Sequence, residues 1–146
     1  MENQQPIIIG SDHGAFDLKE KIKTFLFNKG YKVEDAGTFS NESVNYVDYG
    51  KKVANAVSKN QYPKGILLCG SGLGMSMVAN RFKNVRAALC SDLFSAKLSR
   101  LHNDSNILVL GGRIIGDILA YEIVDTWLGT GFEGGRHIDR IQSIDD

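Results

Sequence analysis

Charge of one sign is missing from this sequence: 17 lysines and arginines face 17 aspartates and glutamates, for a formal net charge of +0. Without a global field the chain attracts neither nucleic acid nor an anionic membrane, so any anion must be held by a local cluster. Long apolar runs are missing too, and none approaches the roughly 18 residues of a membrane span. The opening residues, MENQQPIIIGSD, show no basic region followed by an apolar stretch. No secretory signal is therefore expected, and the cytoplasm is the expected compartment. Cysteine is scarce: Cys69 and Cys90 make a poor disulfide framework and read as reduced thiols. No Cys/His cluster has zinc spacing and two cysteines are too few for an iron–sulfur site, so no metal is expected. No stretch reads as a linker, repeat or low-complexity tract, and 146 residues suit one domain spanning 1–146. What remains is an ordinary globular composition, 42% hydrophobic and 23% charged, enough to bury a core.

What is there alternates. Ile7 to Ile9 is short, β-branched and bounded by Pro6 and Gly10, as a buried strand would be. Leu18, Ile22, Phe25 and Leu26 then repeat at helical spacing, with Gly30 as the closing cap. Tyr31 to Asp35 reads as a second strand, Gly37 to Asn45 as a surface loop, and Tyr46 to Ser58 as a helix. The remaining strands fall at Gly65 to Leu68, Val85 to Leu89 and Ile107 to Leu110. Helices fall at Leu73 to about Phe82, Leu93 to Leu101, Asp117 to Leu128 and Arg136 to Ile144. Strands that are apolar on both faces and alternate with helices predict an α/β fold, a parallel sheet covered on both sides. Ligands of such sheets bind beyond the carboxyl ends of the strands. The chain there reads Ser11-Asp12-His13-Gly14, Cys69 to Gly74, Cys90-Ser91-Asp92 and Gly111-Gly112-Arg113.

The glycine loop Cys69-Gly70-Ser71-Gly72-Leu73-Gly74 can turn backbone N–H groups, and the start of the next helix, toward an anion. Its nucleotide credentials are poor. A Walker A loop needs Lys-Ser/Thr after the last glycine, where Met75-Ser76 stands, and a dinucleotide fingerprint needs glycine at Met75. Asp92, at the end of the next strand, keeps a ribose-binding role open. For Cys69 two readings stand: a buried structural thiol, or a thiolate favoured by the helix start and oriented amides. Cys90 fits the first, and Ser71 has a plain reading as a turn or cap residue. An aldose–ketose isomerisation needs a base beside a carbonyl and donors for the enediolate oxygens, and a thiolate beside fixed N–H groups supplies both. His13, His102 and His137 all sit beside polar residues. His102-Asn103 also reads as a helix cap. Arg136 and Arg140 share a helix face and could clamp a phosphate, or form a solvated basic face.

Taken in order, "GSDHGAFDLKE", "DAGTFS", "VNYVDYG", "GILLCGSGLGMSMVANRFKNVRAALCSD", "SAKLSRLHNDSNILVLGGRIIG" and "FEGGRH" resemble the ribose-5-phosphate isomerase B family, which includes galactose- and allose-phosphate isomerases. The resemblance runs from Ile8 to about Ile141. It implies a Rossmann-like three-layer α/β/α sandwich with a five-stranded parallel sheet, and interconversion of D-ribose 5-phosphate and D-ribulose 5-phosphate. It implies Cys69 as the base at C2, Ser71 as the hydroxyl between O1 and O2, and Gly70, Gly72, Leu73 and Gly74 in the anion hole. His102, helped by Asp12, would open the sugar ring, with Asn103 on sugar oxygens and Asp12 and Tyr46 near the sugar. His13, Arg113, Arg136 and Arg140 would bind the phosphate. The family needs no cofactor or metal, and forms homodimers or tetramers whose sites borrow residues from a neighbouring chain. Ser11 replaces a common cysteine and Val47 a common proline, and the acid that some branches use as base is here Met75. Two alternatives remain open: a hexose-6-phosphate isomerase, and a non-catalytic sugar-phosphate or nucleotide-binding module.

Overall fold

The computed structural model describes residues 5–146. Its strands are β1 (Ile7–Ser11), β2 (Val33–Asp35), β3 (Lys64–Cys69), β4 (Ala87–Leu89) and β5 (Ile107–Gly111). The helices are α1 (Phe16–Asn28), α2 (Tyr46–Ser58), α3 (Leu73–Ala79), α4 (Leu93–Leu101), α5 (Asp117–Leu128) and α6 (His137–Asp145), with one 3-10 turn at His13–Ala15. The five strands are all parallel in the order β2-β1-β3-β5-β4, the expected α/β architecture.

Side chains alternate across a strand, so each apolar run feeds two cores. Ile7, Ile9, Ile66, Leu68, Leu108 and Leu110 meet Leu18, Ile22 and Leu26 of α1 and Ile123, Val124 and Trp127 of α5. Ile8, Leu67, Ile107 and Val109 meet Val53, Ala54 and Val57 of α2 and Met75 and Ala79 of α3. Helices thus cover both faces, which is why the strands carry no polar alternation. No helix among the described residues is long and apolar enough to cross a membrane.

Several element ends depart from the expected ones: β1, β3 and β5 run one or two residues further and α6 is shifted by one. Three other ends are shortened, each for a local reason. Gly30, at φ +88, closes α1, with Tyr31 N–H bonding Leu26 O at 3.0 Å. That is a Schellman cap, and because it uses Tyr31, β2 begins only at Val33. Helix α3 stops at Ala79 because the Asn80 side chain acts as a strand partner. Its Nδ2 donates to Ser76 O and Ala87 O, and its Oδ1 accepts from Ala87 N. Val85 and Arg86 are drawn out of β4 by a turn to Phe82 O and by Asn106 Oδ1, which accepts from Arg86 N at 2.8 Å.

Candidate active site

The sheet reverses its winding at β1/β3, where a crossover leaves in each direction, and such switch points open a crevice at the carboxyl edge. Here that crevice is a cleft of about 500 Å³ lined by Asp12, Tyr46, Cys69, Gly70, Ser71, Gly74, Arg113 and Ile114. Three strand ends are laced together beneath it. Asp12 N–H donates to Leu68 O, Gly112 N–H to Cys69 O at 2.9 Å, and Arg113 N–H to Gly70 O at 2.9 Å. Asp12 is further fixed because its carboxylate accepts from Ala15 N–H at 3.2 Å.

Cys69, the last residue of β3, is buried and its thiol is free. Its Sγ accepts the Gly72 N–H at 3.2 Å, an interaction that strengthens when the sulfur carries charge. Ser71 Oγ accepts from Leu73 N–H at 3.2 Å. The N–H groups of Gly70, Ser71 and Gly74 take no partner among the described residues, so they remain for an oxyanion. Gly72 makes this turn possible. At φ +81 it has the left-handed backbone, and an added Cβ would meet Leu89 Cδ1 at 2.5 Å. Gly74 lies under Tyr46, whose ring carbon Cε2 would be 2.6 Å from a Cβ there. Tyr46 itself opens α2 directly after its cap, Asn45, whose side chain accepts from Val47 N–H at 3.0 Å.

The Arg113 guanidinium lies over two glycines: a Cβ at Gly70 would be 3.5 Å from Nη1, and one at Gly14 3.4 Å from Nη2. It forms no ion pair among the described residues, so its forked N–H donors remain free for a phosphate. Nearby, His13 Nδ1 accepts from Val44 N–H at 3.1 Å, which leaves Nε2 to carry the proton. Met75 is fully buried among α2 and β3 side chains and carries no ionisable group, so in this chain the base falls to the thiol. Burial pushes the other thiol, Cys90, up to about 11, even though Ser99 donates toward it, as a structural cysteine.

Two expectations sort out differently. Asp92 caps α4, accepting from Ser95 N–H at 2.7 Å, and β5 separates its strand from β3. It is therefore two strands from the glycine loop, and its role as a ribose-binding acid falls. The remaining candidates, His102, Asn103, Arg136 and Arg140, do not join the cleft. Helix α4 starts at the carboxyl edge after β4 and runs back to the amino edge before β5, so His102, its C-cap, lies at the opposite end of the sheet. There the His102 ring stacks on His137 with centroids 4.6 Å apart. That contact brings the exposed Arg136 and Arg140 at the start of α6 to the same end. Glu133, which joins this second group 3.5 Å from His137 Nε2, lies within the FEGGRH stretch, where the resemblance gives it no role.

The sequence model described as Ribose/Galactose Isomerase matches residues 7–144. The chain is 47% identical to ribose-5-phosphate isomerase B of Escherichia coli over 94% of this chain and 93% of the relative. It is 40% identical to D-erythrulose-4-phosphate isomerase of Pectobacterium atrosepticum, covering 94% and 91%. Among solved structures, ribose 5-phosphate isomerase of Thermotoga maritima superposes with a TM-score of 0.94 at 57% identity, covering 97% of both chains. With a thiol and free amides at the switch point and relatives matched end to end, this chain belongs to the ribose/galactose isomerase family.

Proposed function

We propose that this chain is an aldose–ketose isomerase that interconverts D-ribose 5-phosphate and D-ribulose 5-phosphate through a cis-enediolate, in the cytoplasm. The observation that carries the reading is Cys69 Sγ beside the unpartnered amides of Gly70, Ser71 and Gly74. A base there can take the C2 proton while the amides hold the charge developing on O1 and O2, which is where catalytic stabilisation is largest. Ser71 Oγ moves a proton between those oxygens, and the proton on Cys69 returns to C1. Arg113 and His13 receive the phosphate, with Asp12 and Tyr46 along the sugar.

Ring opening by His102 with Asn103, and the clamp of Arg136 and Arg140, must come from elsewhere, because in one chain they lie at the far end of the sheet. A second copy supplies them, so the working unit is a homodimer in which each cleft is completed by its neighbour.

The test is proton NMR of the reaction in deuterated water. Ribulose 5-phosphate carrying solvent deuterium is expected from ribose 5-phosphate, and slower turnover from hexose 6-phosphates and erythrulose 4-phosphate. Cys69→Ala is expected to lower kcat by roughly 10²–10⁴-fold while ribose 5-phosphate still raises its melting temperature. Near-normal turnover in that variant would remove the thiol from the mechanism, and faster turnover of a hexose phosphate would change the substrate.

A further inference from the structure

The second polar group, at the amino edge of the sheet, has an arrangement that ring opening does not require. Gly134 and Gly135, at φ +74 and +57, reverse the chain between Glu133 and α6. Glu133 N–H is pinned to Leu101 O at 3.0 Å and His137 N–H to Gly134 O at 3.2 Å. The reversal aims His137 back at Glu133 and lays its ring against His102. One donor atom each from His102, Glu133 and His137 then falls within 4.8 Å of the others.

His137 is 4% exposed, and its Nε2 is buried without a hydrogen bond. Glu133 Oε1 lies 3.5 Å away, a separation too long for a sound hydrogen bond. An orphaned buried nitrogen calls for an explanation. Two donors on one tetrahedral zinc ion, each about 2.0–2.2 Å from the metal, stand ~3.4 Å apart. The His137–Glu133 separation therefore fits a shared ion better than it fits a hydrogen bond. Two imidazoles and a carboxylate are also the donor set that borderline dications prefer.

We propose that His102, Glu133 and His137 form a binding site for a divalent transition-metal ion of the zinc class. The ion assists no step of the isomerisation. It occupies the imidazole nitrogen of His102, so it silences any reaction that needs that nitrogen free, a consequence that rests on the ring-opening role given above. The three ligands come from two separate segments, the end of α4 and the approach to α6, which is why no spacing motif marks them.

Zinc binding is measured by competition with a chromophoric chelator in Cys69→Ala protein, which removes the one thiol that could compete in the cleft. One zinc per chain is expected, with affinity at least ~10-fold weaker in Cys69→Ala/Glu133→Gln. The Glu133 side chain is 53% exposed, so this variant keeps its fold, which an unchanged melting temperature verifies. His137→Gln provides a second removal of the site. Equal zinc binding with and without Glu133 and His137, or none at all, would overturn the proposal. Isomerase activity in otherwise wild-type protein separates the two readings. Zinc inhibition reversed by a chelator and relieved in Glu133→Gln supports both. Zinc bound without inhibition would keep the metal site and refute a catalytic need for His102.

Discussion

The sharpest consequence of the geometry is a complementation experiment. Strand β5 has five residues, so at ~3.3 Å per residue about 16 Å separates its amino end, beside His102, from the cleft. An imidazole cannot reach across that length, so Cys69 and His102 of one chain cannot serve one substrate. Cys69→Ala and His102→Gln are each expected to be nearly inactive. Unfolded together in equal amounts and refolded, they pair at random, and half of the dimers contain one chain of each kind. Each mixed dimer has one cleft with both groups intact and one with neither. The mixture should therefore recover about a quarter of wild-type activity. Initial rates from coupled detection of ribulose 5-phosphate measure it, and parents refolded alone give the baseline. Activity no higher than the mean of the parents would refute the shared site and require both groups to act within one chain.

Three further outcomes follow from particular atoms. Gly72→Ala places a methyl 2.5 Å from Leu89 Cδ1 in a left-handed backbone; left-handed strain of ~1–2 kcal/mol plus overpacking of ~1–3 kcal/mol should cost about 3 kcal/mol in urea unfolding and misplace the Cys69 donor. Ser11, fully buried with an unpartnered hydroxyl, should tolerate Ser11→Ala with a gain of about 1 kcal/mol in the same assay, and a loss would mean that the hydroxyl has a partner in solution. Burial alone would raise the Asp35 carboxyl, but hydrogen bonds from Lys19, Lys23 and Gly37 N–H hold it below its ordinary value. Its contribution is therefore complete above the unfolded value near ~3.9 and is lost as pH falls through the lower folded value. Asp35→Asn should flatten the acid limb of stability against pH and, by stripping a partner from the fully buried Lys19, cost about 3 kcal/mol at neutral pH.

Much of this was legible in the sequence because periodicity reports burial directly. Helices α2, α4 and α5 begin and end where their patterns do, and Gly30 caps as its type demands. Where the ends moved, a side chain impersonated backbone: Asn80 pairs with Ala87 as a strand would, and no apolar pattern records that. Strand order was also silent. Periodicity separates buried faces but does not say that β5 enters between β3 and β4, the insertion that removes Asp92 from the loop. The division of the polar residues was half legible. A residue closing a helix in an alternating fold must lie at the far edge of the sheet, so the position of His102 followed from a rule already in use. The gathering of Glu133 with His137 depends on two left-handed glycines and was beyond spacing arguments.

The walls around the glycine loop bear on how such a protein can change over generations. Gly72 is closed in by Leu89 and Leu110, Gly74 by the Tyr46 ring, and Gly111 by the Ser71 carbonyl 2.6 Å from where its Cβ would be. A first mutation at any of these must displace a neighbour before it can alter a substrate contact. Ile114 lines the same cleft but is 61% exposed, so its side chain can lengthen, shorten or acquire polarity with little effect on packing. A lineage drifting toward a longer or shorter sugar phosphate would find its first viable step at Ile114, with the loop changing only after its neighbours had moved.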